Sequence, residues 1–436
     1  MNEMKELRIG LFGVGTVGQG VIEQLETNRD LITARTGLQI RIVKAVTKSP
    51  NRPRTVDLSG IELSDDPSFI LDDPEIDMIL ELIGGTSIAK QIVTSALKKG
   101  KSVVTANKAL LAEEADDIFQ AAYASTGLFG FEASVAGGIP ILRDIREGFS
   151  GERIEEISGI INGTANYILT QMSQEGKDFQ TSLKEAQEAG YAEADPTYDI
   201  EGVDTAHKLL ILMMLGFNGR FRFSDLHIEG ITQIEPIDIE VAREFGFVIK
   251  LLGNAIAHDQ VFEGRVHPCL VPADSMLAHV NGAFNAVEVK GNFVGQTLNY
   301  GSGAGSHPTS SAVVSDVISL ARELKIAGKS VVPPLAAGLD QLKSQGLLPM
   351  AEVVTPYYLR FSVSDQVGVL AEITKVLGNN GISIGSMLQK ERSKLGPVPV
   401  LIFTHRAKEA DILNSLREID QMGFIAEPTR MIRIHN

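Results

Sequence analysis

The chain places five acids and a lysine within sixteen residues: Glu193, Asp195, Asp199, Glu201, Asp204 and Lys208. The apolar run LLILMMLGF follows at once. Asp204 and Lys208 are four apart, so on a helix they share a face. A lysine held by a carboxylate can polarise a carbonyl and move a proton. Glu193 and Asp199, just upstream, are carboxylates able to bind a substrate ammonium. A plainer reading is available: Asp199 caps a helix, and Asp204–Lys208 is a surface pair worth about 0.3–0.5 kcal/mol. Lys108, in the segment VTANK, is a second candidate. It follows a strand of an expected nucleotide-binding sheet, where C-terminal strand ends face the ligand. A solvated loop lysine is the alternative.

Gly13-Val14-Gly15-Thr16-Val17-Gly18 has the form G-x-G-x-x-G. The pattern gains meaning from its place, after an apolar strand ending at Phe12 and at the opening of a helix. Gly13 permits the tight turn, Gly15 lets backbone approach a pyrophosphate, and Gly18 lets helix and strand pack closely. The helix N-terminus offers unpaired N–H groups to phosphates. A site specific for NAD places an acid at the end of the second strand. Here that strand ends in Ala45-Val46-Thr47-Lys48, with Arg52 and Arg54 after it. Basic residues there suit a 2′-phosphate, which favours NADP over NAD; solvated loop charges are the alternative. The single cysteine, Cys269, excludes an internal disulfide and a cysteine-based zinc site. Its main reading is a small buried apolar residue, and its other a nucleophilic thiol near His267.

The elements that must position these groups begin with a strand over residues 7–12, a helix over 16–35 and a strand over 39–46. Further strands over 78–83 and 102–105 alternate with helices over 89–99 and 110–123. This alternation predicts a parallel α/β sheet covered on both faces. The predicted organisation is a Rossmann-type dinucleotide-binding domain over 1–140, completed by a returning helix at about 303–325. An α+β domain for substrate binding and dimerisation is expected over 141–302, and a Gly/Pro/Ala-rich linker over 326–355. A βαββαβ, ferredoxin-like unit is expected over 356–436.

Composition bounds the class. The 436 residues exceed one ordinary core and fit about three domains. Forty basic against 55 acidic residues give a formal charge of −15, which argues against non-specific nucleic-acid binding. No signal-like segment opens the chain, and no apolar run is long enough to span a membrane, so the expected compartment is the cytoplasm. Asn162-Gly163-Thr164 matches a glycosylation sequon, which carries no weight without a secretory signal.

Seven segments in order resemble the homoserine dehydrogenase family: GLFGVGTVGQGV, ELIGGT, VTANKALL, FEASVAGGIPI, GIINGTANYIL, EADPTYDIEGVDTAHKL and YGSGAGSHPTSSAVVSDV. They span roughly residues 8–320, and the sixth is the most specific. The tail resembles an ACT domain, with Asp365-Gln366-Val367-Gly368-Val369-Leu370 in the loop where that family often binds amino acids. No aspartokinase-like segment precedes Leu7, so the resemblance is to the monofunctional form.

The resemblance implies an NAD(P)-dependent interconversion of aspartate 4-semialdehyde and homoserine, in threonine, methionine and isoleucine biosynthesis. It implies that Lys208 transfers the proton with Asp204 beside it, and that Lys108 is a second active-site lysine, also near the cofactor. Glu193 and Asp199 would bind the substrate. Glu132, Val135, Gly137 and Ile139 would hold a monovalent cation such as Na+, mainly through backbone carbonyls. Gly303 would lie near the nicotinamide end. An amino-acid effector, threonine above all, would bind at Asp365 and Gly368, and the chain would form a homodimer or homotetramer. Another NADP-dependent dehydrogenase of an amino-acid pathway is one alternative. A non-catalytic sensor is another, against which Asp204, Lys208 and Lys108 weigh, because binding alone does not require them.

Overall fold

A computed structural model describes residues 6–259, 261–389 and 397–435. Six parallel strands form the first sheet, in the order Glu62–Ser64, Gln39–Val46, Glu6–Phe12, Met78–Glu81, Ser102–Thr105 and Phe129–Gly130. Met78–Glu81 and Ser102–Thr105 are buried at every residue, as strands covered on both faces must be. The order reverses between Glu6–Phe12 and Met78–Glu81, which opens a crevice at their C-terminal ends. The helix expected over 16–35 is two helices, Thr16–Thr27 and Arg29–Thr36, broken at Asn28. Asn28 leaves helical geometry at φ −104° and ψ 20°, while its N–H still donates to the Gln24 carbonyl at 3.0 Å. The helix expected over 110–123 is also two, Lys108–Glu113 and Ala115–Ala124.

Helix Ser306–Ile326 returns to this sheet and lies along Thr16–Thr27. Gly20 permits the approach: a Cβ there would sit 2.6 Å from Ser306 Oγ. Ser306 also donates to the Thr16 carbonyl at 2.8 Å.

Among the described residues the second sheet has ten strands. Its first part runs Gly295–Ser302, Phe284–Gly291, Ile154–Ile160, Phe247–His258 and Val261–Pro272. Helices Gly163–Glu175 and Val203–Gly216 pack on it. The C-terminal unit has the expected βαββαβ order, and its strands continue the same sheet as Ile425–Ile434, Tyr357–Val363, Val398–Thr404 and Ile384–Gln389. The junction is a short parallel pairing of Cys269 with Arg433 and Leu270 with Ile434.

Residues 326–355 carry little regular structure but do not hang free. Leu335 and Leu342 are buried, Tyr123 donates to the Ala337 carbonyl at 2.6 Å, and Lys343–Ser344 pairs with Gly219–Arg220. A second junction joins Tyr357–Val363 to helix Pro236–Glu244. Arg360 Nε meets Asp238 Oδ1 at 2.8 Å, and Tyr358 donates to the same oxygen at 2.9 Å. Asp238 is 1% exposed. Removing one partner of a buried pair leaves an uncompensated charge. Asp238→Ala is therefore expected to destabilise the fold by about 3–5 kcal/mol, read from urea unfolding. A change under about 1 kcal/mol, as for an exposed pair, would show that this junction does not hold the C-terminal unit.

Candidate active site

Helix Val203–Gly216 is buried at every residue from Asp204 to Gly216. It starts abruptly because Gly202 takes the left-handed conformation, φ +83°. Asp204 and Lys208 are 5% and 8% exposed, so the surface-pair reading is wrong: the helix turns this face into the protein. Lys208 Nζ lies 2.7 Å from Asp204 Oδ2 and donates to the Ile161 carbonyl at 2.6 Å. The other carboxylate oxygen, Oδ1, is 3.0 Å from Lys108 Nζ. Lys108 opens helix Lys108–Glu113 on the first sheet, capped by the Asn107 side chain, which accepts from Leu110 N–H at 3.1 Å. One carboxylate thus joins two ammonium groups carried by two different sheets.

The two lysines are not equivalent. Asp204 raises the pKa of Lys108 more than burial lowers it, with Asp199 and Glu193 adding to the effect. Burial lowers the pKa of Lys208 more than Asp204 raises it, and Lys108 repels it further. Lys208 is therefore the readier proton donor and Lys108 the more persistent cation. For Asp204, burial opposes ionisation, but Lys208 and Lys108 outweigh it and hold the carboxyl below its usual range. Asp199 is pushed up, chiefly by burial.

Sequence reasoning missed Asn162. Its Nδ2 donates to Asp199 Oδ1 at 2.7 Å and to Asp204 Oδ2 at 2.8 Å, while its Oδ1 caps helix Gly163–Glu175 through Ala165 N–H at 2.7 Å. An asparagine before a helix is a capping signal, which the sequon match obscured. Asp199 is not a cap; it lies inside the short helix Thr197–Ile200, and Asp195 instead accepts from Thr197 N–H at 3.2 Å. Glu193 is exposed at the rim. Glu81 was also missed. It is fully buried at the end of its strand and accepts from Thr105 Oγ1 at 2.6 Å and Ile83 N–H at 3.0 Å. Thr105 Oγ1 accepts in turn from Asn107 N–H at 3.0 Å, so Glu81 helps set the start of the Lys108 helix.

The glycine-rich turn lies at the crevice of the first sheet. Gly13 has φ +102°, and a Cβ there would meet the Leu82 carbonyl at 2.6 Å. A Cβ on Gly18 would meet the Gly13 carbonyl at 2.1 Å. A Cβ on Gly15 would meet nothing within 4 Å, and no side chain caps helix Thr16–Thr27. Open space before uncapped N–H groups fits a pyrophosphate. The side chains of Phe12 and Val14 are buried, and the Phe12 carbonyl accepts from Leu82 N–H at 2.8 Å. Thr16 is exposed and Val17 half-buried. Lys48 and Arg52 are exposed, whereas Arg54 is spent on tying the turn together through Thr47, Ser49 and Arg52. Thr55 N–H donates to Gln19 Oε1 at 2.9 Å, which sets this basic turn against the helix of the glycine motif.

The segment Glu132–Ile139 is buried between the sheets except at Gly138. The Glu132 carboxylate accepts from Leu142 and Arg143 N–H at 2.9 and 2.8 Å. Its pKa is pushed up to about 8 by burial and by Asp316. A Cβ on Gly137 would meet the Gly303 carbonyl at 2.6 Å, so Gly137 and Gly303 touch backbone to backbone. Gly368 has φ +95° and open space around it, in an exposed turn after Asp365. Cys269 is 1% exposed and burial pushes its thiol up to about 12, which fits the small buried residue and not an activated thiol. No helix among the described residues is long and apolar enough to cross a membrane.

Comparison with known proteins bears on the whole chain. The family model for the homoserine dehydrogenase catalytic region matches residues 140–318, that for the homoserine dehydrogenase NAD-binding domain matches 13–132, and that for the ACT domain matches 357–422. The homoserine dehydrogenase of Pseudomonas aeruginosa is 42% identical over 432 residues, covering 99% of both chains. That of Bacillus subtilis is 38% identical, again over 99% of both chains. The crystal structure of a homoserine dehydrogenase from Thiobacillus denitrificans superposes with a TM-score of 0.93 at 44% identity, over 99% of each chain. A hyperthermophilic archaeal homoserine dehydrogenase in complex with NADPH matches 72% of this chain and 97% of its own, with a TM-score of 0.60 at 25% identity. With full-length relatives above 40% identity, matching domain models and a shared fold, this chain belongs to the homoserine dehydrogenase family.

Proposed function

We propose that the chain reduces aspartate 4-semialdehyde to homoserine, and catalyses the reverse, with Lys208 as the proton-transfer group. The observation that carries this reading is the Asp204 carboxylate joining Lys208 and Lys108 beside an open nucleotide crevice. A bound nicotinamide cofactor supplies or accepts the hydride. Glu193 and Asp199 hold the substrate ammonium. Lys108, kept cationic by three neighbouring carboxylates, stabilises charge building on the aldehyde oxygen. Lys208, less basic than an ordinary lysine, gives its proton to that oxygen. In the oxidative direction its neutral amine takes the proton back. Asp204 stays ionised throughout and fixes both amines.

The same reading divides the chain into a nucleotide domain over 1–140 with the returning helix, a catalytic and dimerisation domain over 141–302, and a regulatory domain over 356–436. The buried loop at Glu132, Val135, Gly137 and Ile139 would hold a monovalent cation. Glu132 is already committed to N–H groups, so backbone carbonyls would carry the coordination. NADP is the favoured cofactor and threonine the favoured effector.

Lys208→Ala is expected to lower kcat by about 10²–10⁴-fold while cofactor binding persists. Near-normal kcat in a folded variant would remove Lys208 from this role. Replacing both Lys48 and Arg52 by alanine is expected to shift the kcat/KM ratio from NADP toward NAD. An unchanged ratio would show that these residues do not read the 2′-phosphate. Gly368→Asp is expected to abolish any response to threonine and leave basal turnover intact, since Gly368 lies in an exposed turn with open space around it, whereas Lys208 is buried in helix Val203–Gly216. A full response in that variant would place the effector elsewhere.

A further inference from the structure

The last strand of the C-terminal unit carries Arg433, which is 2% exposed although its long side chain spans two domains. Its Nε donates to Glu409 Oε2 at 2.9 Å, and its second terminal nitrogen meets the other Glu409 oxygen. Tyr357 donates to the same carboxylate at 2.8 Å, so Glu409 anchors Arg433 from within the C-terminal unit. The remaining guanidinium nitrogen donates to Glu229 Oε2 at 2.7 Å, across the domain boundary.

Glu229 belongs to a short segment lying directly on the catalytic turn. His227–Ile228 pairs with strand Val261–Pro272, and Glu229 N–H donates to the Val266 carbonyl at 2.8 Å. Beyond it the two backbones touch. A Cβ on Gly230 would stand 2.2 Å from the Ile200 carbonyl oxygen and 2.5 Å from Glu201 Cα. Ile231 N–H donates to that Ile200 carbonyl at 2.8 Å. A Cβ on Gly202 would lie 3.4 Å from the Glu229 carbonyl oxygen. Residues 199–202 carry Asp199 and launch the helix of Asp204 and Lys208.

From this chain of contacts we infer that Arg433 is a positioning residue for the reaction: through Glu229 it fixes the turn that sets Asp199 and Asp204. The C-terminal unit therefore completes the catalytic centre as well as carrying a loop for an effector. Any change in how that unit sits is transmitted to the substrate carboxylates through Glu229. The inference rests on the homoserine dehydrogenase reading for its kinetic consequence, but its structural content is independent of the substrate.

Two measurements on the full-length chain test it, comparing wild type, Glu229→Gln, Gly230→Ala and Arg433→Lys. The first is amide hydrogen exchange. Glu229→Gln keeps the Arg433–Glu409 pair, yet exchange over residues 199–204 is expected to quicken while helix Thr16–Thr27 stays as in wild type. Unchanged exchange over 199–204 overturns the inference whether or not the enzyme turns over. The second is steady-state kinetics. Glu229→Gln and Gly230→Ala are expected to lower kcat/KM for the amino-acid substrate by about 3- to 30-fold with cofactor affinity unchanged. An active wild type with equally active variants, or a parallel loss of cofactor affinity, overturns it. Should Glu229→Gln fail to fold, Arg433→Lys keeps the charge and loses the fork, and is expected to show a smaller version of both effects. A wild type inactive on semialdehyde and homoserine would defeat the functional reading, and the exchange measurement would still decide the positioning role.

Discussion

The Asp204 carboxylate, with Lys208 on one oxygen and Lys108 on the other, is the contact on which the rest of the site depends. A carboxylate this deeply buried is stable only if it is paired and hydrogen-bonded. Two lysines and the Asn162 amide meet that demand. Because the lysines come from different sheets, satisfying Asp204 also sets the distance between the nucleotide crevice and the catalytic helix. The split in lysine basicity follows from the same geometry: Lys208 is buried with the carboxylate, whereas Lys108 reaches it from a wetter position, 42% exposed. A fixed anion between an easily deprotonated amine and a persistent ammonium is what an aldehyde-to-alcohol step requires.

The C-terminal unit is bound more closely to this centre than a tethered regulatory module would be. Its last strand extends the catalytic sheet, and Arg360 and Arg433 each bury a charge against the neighbouring domain. Residues 326–355 lie packed along the molecule and make their own contacts. Cutting the chain before Tyr357 would expose the edge of strand Val261–Pro272 and leave Asp238 and Glu229 without their cations. A substitution in the Asp365–Gly368 turn is therefore a cleaner probe of sensing than a deletion.

Much of this was legible in the sequence because it rests on local rules. The glycine spacing at Gly13, Gly15 and Gly18 reflects backbone contacts that any side chain would block. Strands such as Gln39–Val46 and Ile425–Ile434 declare themselves by their apolar and β-branched content. Asp204 and Lys208 stood out by their spacing, but whether their helix face was wet or dry depended on packing partners far away in the chain. The same limit hid Asn162 and Glu81. Each is an ordinary polar residue whose role appears only when segments about 20 to 40 positions apart meet. The joining of the C-terminal strands to the second sheet was not legible either, since the parallel pairing at Cys269 and Arg433 spans only two residues on each strand.

The most direct test of the central claim is the pH dependence of kcat/KM for aldehyde reduction in wild type and Asp204→Asn. In the proposed mechanism reduction needs protonated Lys208, whose pKa burial lowers and Asp204 partly restores. The wild-type rate should fall on the alkaline side at a pH below the ordinary lysine range. Removing the Asp204 charge should move that fall to still lower pH, along with any loss in maximal rate. An alkaline limb in the same place in both enzymes would contradict the account, because Asp204 would then not be tuning the group that delivers the proton.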